Sequence, residues 1–118
     1  MNWLLAPALL AALLMTLVGF AAAVKPSALE LVGVFAESPL GRSEIRVVFG
    51  GMFIALGLAC LITREPVVFA VVGVVWLIDF AVRLVAVFVD RVPANEAVTM
   101  LVTAALMGAA LLSGYWVA

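Results

Sequence analysis

An aspartate and an arginine stand four residues apart inside one apolar run, Asp79 and Arg83 within VVFAVVGVVWLIDFAVRLVAVFV at 67–89. On a helix this spacing puts both side chains on one face, where their charges can pair. Glu44 and Arg46 open a second apolar region, and Asp90 and Glu96 flank the break that follows residue 89. Carboxylates and guanidinium groups in such a setting support three kinds of chemistry. They can pair and fix helix register, hold a polar head group or pass a proton, or act as acid and base. The residues favour the first over the second and the second over the third. No nucleophile–base pair accompanies the acids, and the single Tyr115 and Cys60 fall elsewhere in the expected topology. Histidine is absent, which removes the commonest metal ligand, the usual haem ligand and the usual general base. Neither a catalytic residue nor a metal or other cofactor is therefore expected.

The elements that position these charges are set by composition. Of 118 residues, 69% are hydrophobic and the mean hydropathy is +1.39. A water-soluble domain of this size has too little polar surface to cover so much apolar material, so the expected solvent is lipid. An aspartate or arginine at the centre of a membrane helix costs ~2.5–3.5 kcal/mol on insertion scales, so about 5–7 for the pair. The sixteen Val, Leu, Ile and Phe residues of the same run return roughly 5–10 kcal/mol. The helix is expected to span, with its charges facing protein or water. A net charge of −1 and the lack of any basic run exclude a nucleic-acid partner, and one cysteine excludes an internal disulfide.

Four spans are expected, at about 3–24, 44–63, 67–89 and 96–116, forming a single transmembrane domain over 1–118. The first has no Lys or Arg before it and is longer than a signal-peptide core, so it reads as a retained span despite Ala21-Ala22-Ala23. Pro7 is tolerated in its first turn. Ser27-Ala28-Leu29-Glu30 matches a capping box, opening a short interfacial helix with Leu29, Val32 and Ala36 toward lipid. Ser38-Pro39-Leu40-Gly41 reads as a turn, Ser43 as the N-cap of span two, and Asn95 as that of span four. Pro66 suits the first position of span three.

Small residues at four-residue spacing let helices approach closely. Ala8, Ala12 and Thr16 make one such stripe, and Gly51, Ala55 and Ala59 a second, with Gly50 and Gly57 beside it. Ala105, Ala109 and Ser113 make a third, with Ala104 and Gly108 alongside. Trp3, Tyr115 and Trp116 fit an interfacial aromatic belt. Lys25, Arg42, Arg46 and Arg91 gather on one side of this topology. The 25–43 connection is thus expected in the cytoplasm and the termini outside, in a bacterial inner membrane. Glu44, Arg46, Asp79, Arg83, Asp90 and Glu96 then form one polar cluster toward that face.

Glu44-Ile45-Arg46-Val47-Val48-Phe49-Gly50-Gly51, together with Arg83 and Asp90, resembles the uncharacterised four-helix membrane family catalogued as domain of unknown function 4345. That family carries E-x-R-x-x-[YF]-G-G at the opening of its second helix, and an arginine and then an aspartate on its third. The aspartate is often continued as Asp-Gly, where this chain has Arg91. The resemblance implies a four-helix fold with a shared polar cluster, and no activity.

The expected molecule is all-α, an integral membrane four-helix bundle. Its expected role is that of a non-enzymatic accessory subunit in contact with the bilayer and with a membrane-protein partner or copies of itself. The alternative is a carrier for a small amphipathic or lipid-like molecule. Detection of charge on span one would favour a small-multidrug-exporter analogy, and span one has none.

Overall fold

The computed structural model describes residues 3–117, except for the side chain of Val32. The fold is all-α. A short 3₁₀ turn, Trp3–Leu5, leads into α1, Ala6–Val24; a second 3₁₀ helix, Pro26–Val32, follows. Helix α2 covers Pro39–Thr63, α3 covers Pro66–Val89, and α4 covers Ala94–Val117. All four long helices are apolar and long enough to cross a bilayer, α1 together with the turn before it. Such spans imply a lipid environment, since only structures with internally satisfied backbones are stable in hydrocarbon.

The chain divides into two compact units, one of Met1–Ala11 with Arg64–Ala118 and one of Ala12–Thr63. In the first unit, α3 and α4 form a hairpin. An added Cβ at Gly73 would lie 2.8 Å from the backbone nitrogen of Leu112, and one at Gly108 would lie 2.6 Å from Leu77 Cδ2. At Gly114 it would meet Phe69 and Ala8. Phe69, Val72, Trp76, Ala104 and Leu111 complete this core. The hairpin turns through Asp90, after which Arg91 adopts a left-handed φ of 54°. The Val92 amide then donates to the Val87 carbonyl at 3.1 Å, the six-to-one bond of a Schellman ending. Arg91 thus holds the conformation that glycine adopts at lowest cost.

In the second unit, the rest of α1 packs on α2. Ala12 and Thr16 are buried, and the Thr16 hydroxyl donates to the Ala12 carbonyl at 2.8 Å. A Cβ at Gly57 would collide with the Thr16 side chain and with the Ala12 carbonyl oxygen at 2.8 Å. A Cβ at Gly50 would lie 2.9 Å from Ala23 Cβ. Around the opposite end, Ala22, Leu29 and Ile45 are buried with Val18, Val34, Ala36 and Phe49 against them.

Several expected details are corrected. Span two starts at Pro39 rather than Glu44: Ser38 is its N-cap, its hydroxyl accepting from the Gly41 amide at 3.0 Å. Proline at the first helical position and serine before it outweigh the turn reading of the same four residues. Ser43 and Glu44 consequently sit beyond the first turn. The Ser27 capping box does not form, because Pro26 already occupies the first helical position with Lys25 before it. Leu29 and Ala36 point into the protein and Leu31 and Phe35 outward, which reverses the expected lipid-facing side; the Val32 side chain lies outside the described residues. Helix α4 begins at Ala94, placing Asn95 inside its first turn.

The small-residue stripes are also reassigned. Gly51 has open space at its Cβ position, and Ala55 is exposed with Ala59 half-buried. Packing in α2 passes instead through Gly50, Gly57 and Cys60. The reason is a π-helical stretch over Arg46–Met52, which inserts a wider turn and rotates the helix face on either side of it. In α4, Ala109 is exposed and Ala105 half-buried, while Ala104 and Gly108 are buried.

Candidate functional site

The charged side chains are best followed within each unit. In α3, Arg83 Nε donates to Asp79 Oδ2 at 2.7 Å, an i,i+4 pair in which the acid precedes the base. Side chains on a helix lean toward its N-terminus, so Arg83 reaches back to Asp79 rather than on toward Asp90. The arginine is 30% exposed and the aspartate 34%. Among the described residues only one of the three guanidinium nitrogens and one of the two carboxylate oxygens are engaged. No buried side-chain nitrogen or oxygen lacks a partner among the described residues. Both terminal nitrogens of Arg83 and Oδ1 of Asp79 therefore reach the molecular surface.

Past this pair Ala81, Val82, Val85, Ala86 and Val89, followed by Asp90, make a shallow, open and apolar groove along the surface of α3. Asp90 and Glu96 are exposed, Glu96 in the first turn of α4 where the helix dipole favours an anion.

In the second unit, Glu44 and Arg46 do not pair. Residues two apart on a helix point in different directions. Arg46 Nη1 instead donates to the Ala23 carbonyl at 2.6 Å, with the Val24 carbonyl at 3.5 Å. These are among the last carbonyls of α1, which have no partner within their own helix. A cation there satisfies them and meets the negative end of the helix dipole. Glu44 is exposed.

The six expected cluster residues thus fall in two places, Glu44 and Arg46 in one unit and Asp79, Arg83, Asp90 and Glu96 in the other. The structure brings Asp79 to Arg83 and Arg46 to the end of α1. The latter contact was missed from sequence, where the visible signal was only an arginine early in the helix that follows α1. Gly73 was missed as well, though a lone glycine in Val71-Val72-Gly73-Val74-Val75 marks a close approach. Three further hydroxyls in the spans bond locally: Thr63 donates to the Ala59 carbonyl, Thr103 to Thr99 and Ser113 to Ala110. Cys60 is buried as a free thiol. Among the described residues no group of His, Cys, Asp and Glu side chains is placed to hold a metal ion.

Compared with family models, curated proteins and solved structures, the chain matches none.

Proposed function

We propose that this protein is a non-enzymatic subunit of a larger membrane assembly, working by packing rather than by chemistry. The observation that supports this reading is the Asp79–Arg83 pair. Asp79 stands 13 residues after Pro66 and 10 before Val89, so about 20 and 15 Å from the two helix ends. The pair is thus intramembrane, and it reaches the surface with polar atoms still unengaged. Hydrocarbon cannot satisfy such atoms, and each one left bare there costs several kcal/mol. A neighbouring membrane protein can cover and satisfy them. The E-x-R-x-x-F-G-G stretch supports kinship with the four-helix family named above, and the Lys and Arg bias supports a cytoplasmic 25–43 connection.

Purification from native membranes in a mild detergent tests the reading. A co-purifying membrane protein at fixed stoichiometry is the expected result. Recovery of a bare 12.4 kDa chain that is stable alone would overturn it.

The groove on α3 favours a second reading, a carrier for an amphipathic molecule, because an apolar trough ending in a carboxylate matches a chain with a cationic head. Mass spectrometry of the purified protein separates the two. A bound small molecule lost on Asp90→Asn, with no protein partner, would support the carrier.

A further inference from the structure

The outer face of α3 carries a pattern that its own hairpin does not use. Val75, Asp79, Val82, Ala86 and Val89 follow one another at intervals of four, three, four and three residues. This is the spacing of a heptad seam; the apolar surface of α3 offers the same spacing through Ile78 and Val85, and the charged pair singles out the register through Asp79. Val75, Val82 and Val89 are 45%, 62% and 72% exposed, and the last three members of the seam line the α3 groove. The inward face of α3, by contrast, carries Phe69, Gly73 and Trp76 and is filled by α4. One polar residue, Asp79, interrupts the seam, and Arg83 flanks it one turn later.

We infer that a second copy of this chain covers the seam, in a parallel two-fold dimer along α3. The charge complementarity selects this occupant. A two-fold axis along the membrane normal places both Asp79–Arg83 pairs at the same depth. Each copy then offers what the other lacks: Asp79 Oδ1 accepts, and the terminal nitrogens of Arg83 donate. A foreign helix would need its own acid and base at matching depth, whereas an identical one has them by construction. The result is a neutral ring of four charges, closed to lipid, and a single polar seam position that fixes register. Valine and alanine elsewhere on the seam are small enough for close approach. The inference deepens the subunit reading by naming the first partner on this face.

The experiment is cysteine cross-linking of the full chain in native membranes, in a Cys60→Ala background with a membrane-permeant oxidant. Single substitutions Val82→Cys, Ala86→Cys and Val89→Cys probe the seam, and Leu84→Cys and Phe88→Cys probe the other side of the helix. The seam positions are expected to give a band at twice the chain mass that the other two do not, and losing an interhelical polar contact lowers such a band by about tenfold. Asp79→Ala or Arg83→Ala added to Val82→Cys should each reduce that band by a similar factor. Co-expression of these two variants under different tags should restore it as the mixed dimer, because one Arg83–Asp79 contact across the copies survives. Equal bands at all five positions, or none at the seam, would overturn the inference. Cross-linking of the seam to a different protein would also overturn it and leave the subunit reading standing. If the pair variants fail to accumulate, the five-position scan decides alone, since it leaves both charges intact.

Discussion

The α3–α4 hairpin and the α1–α2 pairing solve the same problem, an arginine in an apolar helix, in different ways. Arg83 lies six residues before the end of α3, and a carboxylate one turn earlier on its own helix pairs with it. Arg46 lies close to where α1 stops, and there the unpaired carbonyls of Ala23 and Val24 are anion enough. The surrounding backbone differs in the same sense. The first hairpin is two regular 24-residue helices joined by a tight Schellman turn. The second pairing has a long connection with a 3₁₀ helix and a π-helical stretch in α2 that begins at Arg46 itself. What lies within reach therefore decides whether the arginine meets a partner charge, as Arg83 does, or the free carbonyls of a neighbouring helix end, as Arg46 does.

The largest expected effect tests that rule directly. Asp79→Ala should destabilise the protein by about 3 kcal/mol, the lower end of the cost of breaking a buried pair, because the pair is partly exposed. Arg83→Ala should do the same, and the double variant should recover much of the loss. Thermal unfolding in detergent measures all three; strictly additive losses would show that each charge has a separate partner.

Glycine contacts sharpen the comparison at the next level. Gly57→Ala and Gly73→Ala each drive a methyl group into backbone atoms and should cost ~1–3 kcal/mol. Gly51→Ala meets open space and should be neutral or stabilising by up to about 1 kcal/mol, since alanine is the better helix former. Monodispersity and unfolding midpoint are the readouts. Equal tolerance at 51 and 57 would mean that α1 and α2 do not pack through Gly57.

Arg46→Gln should cost about 1 kcal/mol, the usual scale of a favourable charge at a helix end, with Arg46→Lys recovering part of it. A loss as large as that of Asp79→Ala would erase the distinction between the two arginines. The smallest effect is expected at the hairpin turn. Arg91→Gly removes a left-handed strain of ~1–2 kcal/mol but adds backbone freedom to the unfolded chain worth ~0.5–1, leaving a net gain near 1 kcal/mol or less. Destabilisation would mean that the Arg91 side chain contributes more than its backbone costs.

Much of this molecule is determined by its sequence alone. The number of spans, the Pro66 start of α3 and the capacity of Asp79 and Arg83 to meet follow from length, hydropathy and i,i+4 geometry, which are local properties. The capping of α2 by Ser38 was equally local and was missed only because the same four residues also make a good turn. Which face each helix presents was decided by the tertiary structure. Helices apolar all round carry no periodic signal, and lipid tails are as apolar as leucine, so burial against protein leaves no trace in residue type. Choosing Gly57 over Gly51, or sending Leu29 inward and Leu31 outward, depends on the π-helical stretch and on shape fit between neighbours. The Arg46 contact with α1 belongs to the same class, because it joins residues 23 apart in sequence whose approach only packing brings about.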